Sequence, residues 1–214
     1  MLLRPVRSVA SLRLSKVMIP PCPPGTNDPV FQAQLLQYRL AQTQAAQTQA
    51  QASAKDEFRA KAEAAHAKYA SFIQETPLLP FDDLCTPTQR VWVKCENLQR
   101  TGSFKARGAM AACQALLEAN PEAKTVVTHS SGNFAQALSW AAGQLGLTAE
   151  IVMPRNAPAT KVAGVRKWKG NITFCESTQE AREAAAAHIV ASTGGEFMHP
   201  YNDERVILGQ ASIA

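Results

Sequence analysis

No stretch of the 214-residue sequence approaches eighteen consecutive apolar residues, which excludes a membrane-spanning helix. Cysteine is sparse and irregularly placed. Cys22, Cys85, Cys95, Cys113 and Cys175 are an odd number, and none forms a C-x-x-C pair. That argues against a zinc site or a disulfide scaffold and fits a reducing compartment. Aromatic residues number only 14, whereas alanine occurs 37 times, so any core is built from small side chains. Acid is missing before Asp28, while Arg4, Arg7, Arg13 and Lys16 all precede it. Beyond that segment 18 basic residues face 17 acidic ones. The net charge of +5 therefore describes a tail. A nucleic-acid-binding domain would carry its charge as a patch on the fold, and that class is excluded.

Residues 1–19 contain Arg and Ser, lack acid and can form an amphipathic helix, the composition of an organelle transit peptide. The composition predicts a mitochondrial address first, against a plastid or cytoplasmic protein with a disordered basic tail. Residues 20–29 hold five prolines and a glycine and read as a linker. Residues 32–51 carry eight Gln and five Ala, a low-complexity composition, so this segment is helical or disordered.

Globular patterning begins near Lys55. Phe58, Ala62, Ala65, Tyr69 and Phe72 recur at helical spacing and predict one core-facing helix stripe, closed by Pro77. Residues 91–95 read as a strand and 104–118 as a helix capped by Ser103. Then come a buried strand at 125–129, a helix over 135–142, a strand at 149–153 and a helix after Pro158. A strand at 171–175, a helix over 179–192 and a short strand near Phe197 follow. Strands alternating with helices of this length predict βαβ units, a parallel sheet and an α/β fold. There is no internal repeat.

Two constellations carry chemistry. In Thr101-Gly102-Ser103-Phe104-Lys105-Ala106-Arg107-Gly108, one lysine opens a helix behind a glycine-containing loop. The positive end of the helix dipole and the apolar Phe104 both disfavour an ammonium there, leaving more neutral amine for covalent chemistry on a carbonyl. Lysines at helix starts are common, however, and most are solvated. In Thr128-His129-Ser130-Ser131-Gly132-Asn133-Phe134, a buried strand runs into hydroxyls, a glycine and an amide before a helix. Backbone N–H groups at such a turn form an anion site. Alone, the same pattern is more often an ordinary helix cap.

Together with their neighbours these segments resemble the fold-type II pyridoxal-phosphate enzymes, and within them the serine racemase and threonine (serine) dehydratase family. The resemblance is carried by TPL at 76–78, VWVKCENLQRTGSFKARGA at 91–109, VVTHSSGNFAQALSWAA at 126–142, IVMPRNAP at 151–158 with Lys161 beyond, and HPYNDERVILGQASIA at 199–214. It implies the tryptophan synthase β-like α/β architecture and pyridoxal 5'-phosphate as cofactor. By position, Lys105 would hold the cofactor covalently and remove the substrate Cα proton. Phe104 would lie beside the pyridine ring, and Asn133 would bond the phenolic oxygen. Ser130, Gly132 and adjoining amides would hold the substrate carboxylate, and Ser131 would face Lys105 from the opposite side.

The implied activity is a racemase or ammonia-lyase acting on a small β-hydroxy amino acid such as serine or threonine, with a homodimer as its assembly. Phe134 stands where the family has histidine, which opens the substrate-binding surface to a more apolar side chain. The family's glycine-rich phosphate loop has no counterpart in the sequence, and a divalent cation is expected only from the missing C-terminal half. These departures predict a fragment, a truncated gene model or a splice form; the alternative is a catalytically inactive fragment or degenerate paralogue. The resulting division is residues 1–27 as transit peptide and linker and 28–55 as low-complexity segment. Residues 56–124 begin the large cofactor domain, 125–202 form a small α/β domain, and 203–214 begin the rest of the large domain. No residues are expected to bind metal.

Overall fold

In a computed structural model of the protein, residues 29–213 are described. The transit-like segment and most of the proline-rich linker lie outside the described residues. The chain divides after Gln51 into two compact units. The first unit's described part is helical, the opening of α1 (Pro29–Tyr69). The Gln/Ala-rich segment is thus helix, and its residues 39–51 are all exposed.

The second unit contains the rest of α1, β1 (Leu78–Pro80), β2 (Trp92–Lys94), α2 (Lys105–Ala119), β3 (Thr125–His129), α3 (Asn133–Gln144) and β4 (Thr148–Pro154). It continues with α4 (Ala159–Lys167), β5 (Asn171–Cys175), α5 (Gln179–Thr193), β6 (Glu196–Phe197) and α6 (Glu204–Ala211). β1 and β2 pair antiparallel, with Leu79 opposite Val93. The other four strands form one parallel sheet in the order β5-β4-β3-β6.

The expected α/β fold is present, and period-two patterning explains its layers. Val126 and Ile151 point to one face of the sheet, into a core with Ala135, Leu138 and Met153. Val127 and Val152 point to the other, against Ala186 and Ile189 of α5. Both faces are covered, so β3 and β4 are almost wholly buried.

Three local expectations are corrected. Phe58 belongs to the helical stripe but is 43% exposed; it borders an open pocket with Ala62, His66 and Ala211, whereas Ala62 and Tyr69 are buried. Ser103 does not cap α2. Phe104 already has helical angles, φ −58° and ψ −18°, and the entry is tightened by Arg107 N–H donating to the Phe104 carbonyl at 3.1 Å. The Ser103 hydroxyl is left buried without a partner. Finally, α3 starts at Asn133, two residues earlier than its apolar pattern indicated.

Candidate active site

The sheet order fixes where a site belongs. From β3 the chain crosses to β4 and β5 on one side, then returns to place β6 on the other. The loops leaving the adjacent strands β3 and β6 lie side by side at their carboxyl ends, the end of an open α/β sheet where ligand crevices form. The loop after β3 is residues 130–132, and the loop after β6 contains His199 and Pro200. Lys105, at the start of α2, reaches the same place: its Nζ donates to the Pro200 carbonyl at 2.8 Å.

Lys105 is held by the residues around its motif. Gly102, at φ +74°, makes the turn that a side chain would strain, and its N–H donates to the Gln99 carbonyl at 2.7 Å. Arg107 points the other way and is 4% exposed beside Glu96 at 11%. Its Nε and one terminal nitrogen donate to the two oxygens of Glu96 at 2.9 and 2.7 Å. The Thr76 hydroxyl also donates to Glu96, at 2.5 Å. Burial opposes the charge on Glu96, yet the bonds from Arg107 and Thr76 outweigh it and hold the carboxyl below its usual range. Gly108 lets α6 approach: a methyl there would sit 2.8 Å from the Val206 carbonyl oxygen. In the SFKARGA segment, Lys105 faces the crevice while Arg107 and Gly108 anchor the helix that presents it.

The Lys105 amine is half-buried. It lies 5.1 Å from the Phe104 ring centroid and 5.9 Å from that of Phe134. Burial pushes its basicity below that of an ordinary lysine, and no charged side chain contributes to the shift. The shift favours the neutral, nucleophilic form relative to a solvated lysine.

The loop after β3 carries the other expected residues. Ser130 N–H donates to the Val152 carbonyl at 3.1 Å, which extends the strand register into the loop. The Ser130 hydroxyl accepts from Gly132 N–H at 3.3 Å. Ser131 and Gly132 are half-buried, and nothing lies within 4 Å of where a Gly132 side chain would begin. Asn133 is exposed and accepts from Lys161 Nζ at 3.0 Å. Phe134 faces inward instead: it is 2% exposed and joins the core with Ala135 and Leu138. The next residue of a helix turns about 100° away, so Asn133 and Phe134 cannot share a face.

The residues without an assigned role in the sequence are Lys161, His199 and Pro200. Lys161 and His199 lie inside the quoted motifs, but nothing in their type signals a contact to Asn133 or a turn. Pro200 acts through its backbone oxygen, which has no sequence signature.

A half-buried lysine without an acidic partner, at the carboxyl ends of a parallel α/β sheet, offers its amine to carbonyl compounds. A family model described as pyridoxal-phosphate dependent enzyme matches residues 69–214, and the chain belongs to that family. It is 47% identical over 152 residues to the beta-hydroxyaspartate dehydratase of Paracoccus denitrificans (strain Pd 1222), covering 71% of this chain and 48% of that protein. To the serine racemase of Arabidopsis thaliana it is 44% identical over 153 residues, covering 70% of this chain and 45% of the relative. The solved structure of maize serine racemase superposes with a TM-score of 0.68 at 36% identity, over 72% of this chain and 46% of that one. The chain spans about half the length of the curated relatives it matches.

The residues present fit the carbonyl end of pyridoxal phosphate. Lys105 offers an amine with lowered basicity, the space at Gly132 is open, and Asn133 presents an exposed amide.

Proposed function

We propose that this chain carries the lysine-bearing side of a pyridoxal-phosphate-dependent amino-acid racemase or ammonia-lyase. Its substrate class is the small β-hydroxy amino acids, serine and threonine among them. The observation that carries the reading is the Lys105 amine, half-buried near two phenyl rings and, among the described residues, hydrogen-bonded only to the Pro200 carbonyl. Similarity to a beta-hydroxyaspartate dehydratase and to serine racemases supports the reaction class.

The cofactor, when bound, supplies the electron sink that stabilises a carbanion at the substrate Cα. Lys105 holds it and afterwards takes the Cα proton, which needs the amine within hydrogen-bond reach of that carbon. Ser130 and the Gly132 loop bind the substrate carboxylate through hydroxyl and N–H donors. Asn133, whose oxygen accepts from Lys161, would offer its NH₂ to the phenolic oxygen. Ser131 holds a proton on the face opposite Lys105. Returned to Cα, that proton inverts the centre. If instead the β-hydroxyl leaves as water, carrying the proton that Lys105 took from Cα, the resulting enamine would hydrolyse to a keto acid and ammonia. Phe134, whose ring is buried under Lys105, walls the amine.

The proposal extends to a homodimer, a divalent cation held by residues outside the matched segments, and a mitochondrial address read from residues 1–19. These rest on the sequence and its resemblance alone. The test of function is visible absorbance of the full chain mixed with pyridoxal phosphate. A band present in wild type and absent in Lys105→Ala is expected. A band of equal strength in both would overturn the assignment of Lys105.

A further inference from the structure

Lys105 has one hydrogen-bond acceptor among the described residues, the Pro200 carbonyl oxygen. A carbonyl in a loop is a useful seat only if the loop is itself fixed. On its N-terminal side the anchorage is to β3: Met198 N–H donates to the Val127 carbonyl at 2.8 Å, and the Thr128 hydroxyl donates to the Met198 carbonyl at 2.8 Å. Beyond Pro200, Arg205 ties Asp203 back to Glu196, but the turn at Pro200 itself is held by one side chain. His199 Nδ1 accepts from the N–H of Asn202 at 2.9 Å and, at 3.3 Å, from that of Tyr201. These bonds close a tight turn around Pro200. Proline itself has no N–H to contribute, so the imidazole substitutes for the backbone bonds that the turn lacks.

The His199 ring is braced in turn. Tyr201 meets it edge-on with centroids 4.3 Å apart, and His129 does so at 5.9 Å. Burial makes His129 less basic than an ordinary histidine. The far side of His199 borders an open groove of about 460 Å³, shared with Glu183, Val190 and Phe197. A side chain of different shape at position 199 therefore meets free space.

We propose that His199 is a positioning residue for Lys105: by accepting the two amide protons after Pro200, it fixes the carbonyl that seats the Lys105 amine in the crevice. The inference deepens the reading of Lys105 as the cofactor-binding amine and rests on it. With the seat fixed, one N–H of the amine is spent on Pro200, and the lone pair is left to face the open side of the crevice. Released, the turn would admit water to the amine and relieve the burial that lowers its basicity. Loss of the carbonyl alone would lower the basicity further, so the direction of the change separates release of the turn from loss of a single bond.

The test uses the full chain and two variants chosen to keep the fold. His199→Phe keeps a ring for packing and removes the acceptor. His199→Asn keeps a side-chain oxygen able to accept N–H groups two and three residues on, without the ring. The probe is acetic anhydride, and the readout is the pH midpoint of labelling on the peptide that contains Lys105. Circular dichroism checks that each variant is folded. The midpoint should rise toward that of an ordinary lysine in His199→Phe and stay at the wild-type value in His199→Asn. An unchanged or lower midpoint in His199→Phe overturns the inference, as does an equal rise in both variants. Absorbance with pyridoxal phosphate is recorded on the same samples. A wild-type chain that gives no band while His199→Phe still moves the midpoint removes the cofactor reading and leaves the seat. A band in wild type with no midpoint change in either variant does the reverse.

Discussion

Gly209 of α6 lies against Gly108 of α2 so closely that a methyl on Gly209 would come within 2.6 Å of the Gly108 Cα. The two helices meet backbone to backbone, and the Tyr69 hydroxyl closes the contact by donating to the Gly209 carbonyl at 2.8 Å. Gly209→Ala should therefore push α6 away and destabilise the protein by about 1–3 kcal/mol, the usual cost of overpacking. Urea unfolding measures it: a lower midpoint with an unchanged slope is expected. A neutral substitution would mean that the helices separate freely, and that α2 is held by other contacts.

The buried ion pair behind Lys105 makes a second prediction. Arg107→Met leaves the Glu96 carboxylate in a pocket that is 89% closed, with only Thr76 to bond it. A loss of about 3–5 kcal/mol is expected, as for other buried pairs broken on one side. Replacing both partners, with Glu96→Leu added, should recover most of it. Thermal or urea unfolding of the two variants compares them directly. Equal losses would show that the pair is not the cause.

The same pair gives a pH dependence. The Glu96 carboxyl is held below its unfolded value, so its contribution is complete above the ordinary carboxylate range. It is lost as pH falls through the lowered folded value, because the unfolded chain takes up the proton first. Asp203, its charge opposed by burial but favoured by Arg205, shifts the same way. Acid unfolding followed by circular dichroism should be shallower in Glu96→Gln than in wild type. Identical acid profiles would remove Glu96 from the account.

Much of this was legible before any coordinates. The strands TVVTH and NITFC occupy the residues their composition indicated, since short β-branched runs bounded by turn residues read as strands. The motif placed Lys105 at a helix start, where it is. What failed depended on direction or on the backbone. Phe134 stands at the Lys105 amine, but the inward turn of its ring has no sequence signature, because one step along a helix swings a side chain by about 100°. Ser103 looked like a cap, but Phe104 entered the helix first. β1 escaped notice because three residues ending in proline carry no period. The Pro200 seat escaped because a carbonyl oxygen is common to every residue.

Ser131→Ala separates the two reactions that the same lysine can start. Under the proposed function both begin with removal of the Cα proton by Lys105, so both should be lost in Lys105→Ala. They part afterwards. Racemisation needs a proton delivered from the opposite face, and alanine has none to give. Elimination needs only that the β-hydroxyl leave. The loop that carries Ser131 is fixed by its neighbours, through the Ser130–Val152 bond and the Gly132 N–H to Ser130, so the substitution should leave the loop in place. General acid–base groups contribute typically 10²–10⁴-fold, and a loss of that order is expected in racemisation, with elimination changed by less than about tenfold. The measurement is the ratio of inverted amino acid to keto acid formed from L-serine by the holoenzyme. Parallel loss of both products would mean that Ser131 acts before the reactions diverge, on substrate binding and not on the returning proton.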